Sequence, residues 1–189
     1  YYEFKRMYKK ILIIFVIFNL FIPNSYTNEN LIKKLKKGGN IIFIRHALAP
    51  GSGDPENFNI KNCSTQRNLN TDGIEQSKKI GLFFSNNSIN VDLVLSSEWC
   101  RCKDTAKFAF NQYRTFSPLN SFYSEKFQKN KSNQIRDLKK YLSKWKGDEN
   151  IILVTHYVVI LEILGKAVSS GEIVISDQNF NFVGSITNY

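Results

Sequence analysis

Sulfur and imidazole are scarce in this chain: its 189 residues include three cysteines, one methionine and two histidines. Cys63, Cys100 and Cys102, with the distant His46 and His156, offer too few ligands at unsuitable spacings for a structural zinc site. No carboxylate cluster accompanies the histidines, so neither a metal nor another cofactor is expected. Proline is also sparse, with four residues. No Pro-rich linker, internal repeat or low-complexity tract divides residues 28–189, which predicts a single domain there. No apolar run reaches the roughly 20 residues that a bilayer-spanning helix needs.

What is present begins with charge. The formal net charge is +10, with 26 basic and 16 acidic residues. Such a surface attracts anions in general, and charge alone does not choose among nucleic acid, acidic lipid and phosphorylated small molecules. Part of the excess, Lys5, Arg6, Lys9 and Lys10, precedes the apolar run Ile11 to Ile22 (ILIIFVIFNLFI), and Pro23, Asn24 and Ser25 follow it. A basic patch, a short apolar stretch and a polar breaker are the layout of a secretory signal peptide. Residues 1–27 are therefore expected to be an N-terminal extension and signal peptide, with Met7 as the initiating residue and cleavage between about Ser25 and Asn28. Export to the periplasm would permit one disulfide and leave one thiol. Cys100 and Cys102, two residues apart on an expected helix, are poor partners for each other, so Cys63 is expected to pair with one of them.

The elements come from periodicity. NIIFI (Asn40 to Ile44), VDLVL (Val91 to Leu95) and IILVT (Ile151 to Thr155) read as buried strands. Residues 47–70 lack periodicity and form a long loop of the kind that usually carries function. Thr71 or Asp72 is expected to cap a helix bearing Ile74, Ile80 and Phe83 or Phe84, and Ser97 to cap a helix from Glu98 to about Asn111. Ile135, Leu138, Leu142 and Trp145 mark another amphipathic helix. A further apolar helix runs from about Val158 to Ala167, and Glu172 to Ser176 and Asn181 to Ile186 close the chain as two strands. Strands alternating with helices predict an α/β fold, a three-layer α/β/α sandwich on a mainly parallel sheet.

On that scheme the first strand runs into Arg45-His46, the second ends at Ser96-Ser97 one turn before Arg101, and the third ends at Thr155-His156. The C-terminal ends of parallel strands share one edge, where ligands bind. Guanidinium forks pair bidentately with phosphate oxygens, and a neutral imidazole is a competent nucleophile near pH 7. The convergence therefore suits phosphoryl transfer, which rests mainly on positioning and charge stabilisation.

The motifs Arg45-His46-Ala47, LNTDGIEQ (Leu69 to Gln76), SSEWCRCKDTA (Ser96 to Ala106) and VTHYV around His156 occur in that order. With them the chain resembles the histidine phosphatase superfamily, the phosphoglycerate-mutase-like enzymes; Ala47 stands where the family more often has glycine. Cys63 to Leu69 and Trp99 to Cys102 are similar to a small exported branch of phosphatases acting on lipopolysaccharide-core heptose phosphates. The resemblance implies a phosphoglycerate-mutase-like fold and a histidine phosphatase domain over residues 28–189. It implies His46 as nucleophile, Arg45, Arg101 and His156 as phosphate-binding groups, and Arg67 as a third positive charge in the pocket. Tyr157 follows His156, so a proton donor directly after the distal histidine is absent. Glu125 and Asp54 are the candidate donors.

The expected function is a phosphomonoester hydrolase that acts through a phosphohistidine on a small phosphorylated substrate, a sugar or lipopolysaccharide-core phosphate among the candidates. No nucleic-acid partner and no stable membrane span after signal removal are expected, and the oligomeric state is open. A phosphohistidine-protein phosphatase and a non-catalytic phosphate-ligand binding protein are the competing readings. His46 must be neutral to attack, which predicts loss of activity in acid.

Overall fold

Ile41–Arg45 (β1) and Asn150–Thr155 (β4) are almost wholly buried, as continuous apolar runs in a parallel sheet should be. They pair in parallel with Arg45 opposite Thr155, and β4 pairs in parallel with Val91–Ser96 (β2), Ser96 opposite Val154. A two-residue strand, Arg114–Thr115 (β3), extends the sheet beyond β2. Ile173–Ser176 (β5) and Phe182–Ile186 (β6) add an antiparallel hairpin on the other side of β1. The order is β3-β2-β4-β1-β5-β6. The expected mainly parallel sheet is therefore present, with an antiparallel hairpin at one side.

The computed structural model describes residues 24–189, with side chains from Glu29 onward. The expected signal peptide, including Ile11 to Ile22, lies largely outside the described residues. The chain separates into two units, Tyr1–Lys34 and Leu35–Tyr189. The helix Asn24–Lys37 (α1) begins in the first and ends in the second.

The helices of the second unit form the outer layers. Thr71–Asn86 (α2) and Cys100–Phe110 (α3) pack together, and α3 lies against β2 and β4. A short helix, Glu125–Gln128 (α4), precedes Lys131–Leu142 (α5), and Tyr157–Leu164 (α6) follows β4. Side chains alternate across a strand. Thus Ile41, Phe43, Ile151 and Leu153 join Leu138 and Leu142 of α5 and Val159, Ile160 and Ile163 of α6 in one core. Ile42, Ile44, Ile152 and Val154, equally buried, face the other way.

Three boundaries depart from expectation. Asn70, not Thr71 or Asp72, caps α2: its side chain accepts the Gly73 N–H at 2.9 Å. α3 starts at Cys100 with Trp99, in extended conformation, as its N-cap, because Ser97 N–H is held to the sheet by Val154 O at 2.9 Å. α6 ends at Leu164, where Gly165 takes a left-handed conformation (φ 64°) and its N–H returns to Leu161 O. Glycine adopts that conformation without steric cost, which makes it a strong helix stop.

Candidate active site

Parallel register brings the strand ends level. His46 follows β1 and its N–H donates to Thr155 O at 2.9 Å, so the residue before His156 holds the main chain of His46. The two imidazoles lie with ring centroids 5.5 Å apart, each 3 % exposed. With Arg45, Arg67 and Arg101 they line a cavity of about 550 Å³, within the range of small-molecule sites.

The tautomer of His46 follows from its partner. Nδ1 lies 2.8 Å from Ala47 O, and a carbonyl only accepts, so Nδ1 carries the proton and Nε2 keeps its lone pair. Burial first, and then the charges of Arg101, Arg67 and Arg45, hold the imidazole pKa well below the ordinary histidine value. His46 is thus a neutral base with a directed lone pair. The peptide after it is held as well: Ala47 N–H donates to Thr105 Oγ1 at 2.9 Å, and Thr105 Oγ1 donates to Arg101 O at 2.7 Å.

Two arginines keep unspent donors. Arg45 Nη1 donates to Val168 O at 2.7 Å, while its Nε is buried with no protein partner. Arg101 is 3 % exposed and grips Asp54 with both terminal nitrogens, at 2.7 and 3.2 Å, and its Nε too is buried without a partner. Leaving such donors unmet costs free energy, roughly 1–3 kcal/mol each, unless a ligand meets them. A tetrahedral anion beside the histidines would do so. Arg67 also lines the cavity, but it donates Nε to Gly53 O at 2.8 Å and Nη1 to Ala49 O. It ties the loop together as well as adding charge.

The proton-donor candidates fare differently. Asp54 lines the cavity, yet it is engaged by Arg101, by Trp99 Nε1 at 3.0 Å and by Arg67 N–H at 3.1 Å. Burial pushes its carboxyl up, but the hydrogen bonds and charge of Arg101 outweigh that and hold it below the ordinary value. Asp54 is a carboxylate anchor for Arg101, ill-suited to giving up a proton. Glu125, at the start of α4, is exposed and does not line the cavity. Glu56 does line it; standing in an aperiodic loop, it carried no sequence signal beyond its nearness to Asp54.

Ser97, expected as a helix cap, serves the site: its Oγ lies 2.9 Å from His156 Nε2. Cys63 is bonded to Cys100, one of the two expected pairings, and Cys102 is free and buried. Burial pushes the Cys102 thiol up to about 12, so it is inert near neutrality. The bridge joins the long loop to α3 one residue before Arg101. Among the described residues no group of three or more metal-ligating side chains forms, and no helix is long and apolar enough to cross a membrane.

Behind His46, α2 presses on the loop leaving β1. A Cβ on Gly73 would lie 2.1 Å from Leu48 O. Gln76 accepts Leu48 N–H at 2.9 Å and donates to Ser170 O at 2.9 Å, and the next N–H, of Gly171, reaches the carbonyls of Arg45 and His46. The Gly-x-x-Gln segment therefore mounts the main chain of His46.

No family model matches the chain, and no curated protein matches it in sequence. Solved structures do match in shape. A structure of the protein histidine phosphatase SixA complexed with tungstate superposes with a TM-score of 0.58 at 14 % identity, covering 78 % of this chain and 96 % of that one. Phosphoglycerate mutase from Thermus thermophilus gives 0.55 at 14 % identity, covering 79 % and 99 %. The chain thus has the phosphoglycerate-mutase-like α/β fold, with its two histidines and the unspent donors of Arg45 and Arg101 at the carboxyl edge of the sheet.

Proposed function

We propose that the protein is a phosphomonoester hydrolase working through a phosphohistidine on His46, with a small phosphorylated substrate. One observation carries this reading: His46, with a free lone pair on Nε2, shares one cavity with His156 and with Arg45 and Arg101, two arginines that each keep an unpartnered Nε. His46 Nε2 attacks phosphorus, the bond to the leaving oxygen breaks, and that oxygen takes a proton from Glu56. The arginines and His156 hold the equatorial oxygens. Water then gives a proton to the Glu56 carboxylate and attacks the phosphohistidine, releasing phosphate and restoring His46.

Resemblance of Cys63 to Leu69 and Trp99 to Cys102 to the exported branch supports a sugar or lipopolysaccharide-core phosphate in the periplasm. A disulfide, which persists in oxidising compartments, supports export. The likeness in fold to the histidine phosphatase SixA supports a second reading, a phosphohistidine protein as substrate. Turnover of sugar phosphates set against a phosphohistidine protein separates the two.

Rapid quench with a labelled aryl phosphate should trap a phosphoramidate, labile in acid and stable in base, that is absent in His46→Ala. Turnover should persist in excess chelator. Near-normal turnover by His46→Ala would overturn the assignment, and binding without turnover in the wild type would leave a phosphate-ligand binding protein. For export, N-terminal sequencing of the fractionated protein should give a mature start near Asn28; full-length protein in the cytosol would refute it.

A further inference from the structure

His156 ends a chain of hydrogen bonds whose directions can be read from one end. Glu98 N–H donates to Asn120 Oδ1 at 2.9 Å, and Asn120 Nδ2 donates to Glu98 Oε2 at 2.6 Å. A backbone N–H can only donate and a carboxylate oxygen accepts, so the amide of Asn120 has one orientation. Its Oδ1 therefore faces Ser97 Oγ at 3.1 Å, and Ser97 Oγ also accepts Trp99 N–H at 3.3 Å. A hydroxyl has one proton to give. When Ser97 gives it to Asn120, His156 Nε2, at 2.9 Å, must be the N–H that donates to Ser97.

Charge favours the same arrangement. Nε2 is engaged on the protein side, and His156 makes no side-chain cap to α6, which leaves Nδ1 for a ligand. The titratable and charged groups that line the cavity or touch the ring are Arg45 at the end of β1 and His46 after it, Asp54, Glu56 and Arg67 in the long loop, Arg101 and Cys102 of α3, Tyr123 before α4 and Lys126 within it, and Tyr157 of α6. Burial, then Arg101, with His46, Arg67 and Arg45, disfavours the charged ring in the free protein. A lone pair on Nδ1 suits these cations better than an N–H would.

We propose that the two histidines hold opposite tautomers, that Ser97, Asn120 and Glu98 are the positioning residues that set that of His156, and that an oxyanion in the cavity converts His156 to imidazolium. His46 is protonated on Nδ1 through Ala47, and His156 on Nε2 through Ser97. In the free protein both rings then offer lone pairs as ligand-side atoms, and a dianion has nothing to accept from His156 until Nδ1 gains a proton. Binding is therefore coupled to proton uptake. This coupling rests on the phosphatase reading; the tautomers do not.

The chain has two histidines, so ¹⁵N-histidine NMR resolves them, and His46→Gln assigns the pair. At pH 7 the free protein should show Nε2–H for His156 and Nδ1–H for His46. Tungstate, a dianion near neutrality, should double-protonate His156 alone. Its affinity should weaken about tenfold per pH unit as pH rises, and calorimetry in two buffers should count about one proton taken up per ion. Ser97→Ala should leave His156 as a tautomer mixture, and Ser97→Thr should restore Nε2–H. An Nδ1–H on free His156 would overturn the relay, whatever tungstate does. A His156 that stays singly protonated with tungstate bound would overturn the coupling. Failure of tungstate to bind at all would count against both the coupling and the phosphatase reading, while the free spectrum still decides the tautomers.

Discussion

A histidine nucleophile is normally lost to protonation as pH falls through about 6.5. His46 is buried among Arg101, Arg67 and Arg45, which moves its protonation to much lower pH. Catalytic efficiency toward an aryl phosphate, corrected for the ester's own second ionisation, should therefore not decline between pH 7 and about 5. The acid limb expected for His46 should then fall below the ordinary histidine range. A decline with its midpoint near 6.5 would show that the imidazole titrates like a solvated one. At the same scale, Asp54 shows why residue type alone misleads: a carboxylate in the right loop, it is committed to Arg101 at 2.7 Å, and its role is to aim a guanidinium.

Among the elements, the loop of residues 47–70 has the most to lose. It carries Asp54, Glu56 and Arg67, and the Cys63–Cys100 bridge fastens it to α3 across a sequence separation of 37. Closing a loop of that length contributes about 3–4 kcal/mol on the chain-entropy account. Reduction, or Cys63→Ala with Cys100→Ala, should lower the Tm and raise KM more than it lowers kcat. Thiol titration of denatured, unreduced protein should count one thiol, and a count of three would refute the bridge. The central strands were legible as short continuous apolar runs, Ile41 to Ile44 and Ile151 to Val154, and α2, α3 and α5 as apolar positions at helical spacing, whereas α1, Asn24–Lys37, was not read as a helix. β3, two residues long, and α4, four residues long, are too short to show a period. Of the site, the histidines, Arg45 and Arg101 were legible because they sit at strand ends or one helical turn beyond. Ser97 was misread because one hydroxyl suits a helix cap and a histidine partner equally well, and only the hold of Val154 on its main chain decides. Glu56, in irregular backbone, and Glu125, opening the four-residue α4, gave no sequence sign of which one reaches the cavity.

For the molecule as a whole, two buried neutral imidazoles make stability depend on pH in the ligand-free state. Both native pKa values lie well below the ordinary one. Below about 6.5 the unfolded chain binds protons that the native state refuses, so stability falls as pH falls, by up to about 1.4 kcal/mol per pH unit for each histidine, until the native pKa is reached. Denaturant melts of the wild type and His46→Gln between pH 7 and 5 should diverge by about that slope, the variant being the less pH-sensitive; parallel curves would refute the sign. The mounting behind His46 bears on transplanting such a site. Gly73, Gln76 and Gly171 line no part of the cavity, yet they hold the main chain on either side of His46. A survey of variants scored by turnover alone would rank them with the catalytic residues. A designer who grafted only the histidines and arginines onto another sheet would carry over the reagents and leave behind the vice that holds one of them.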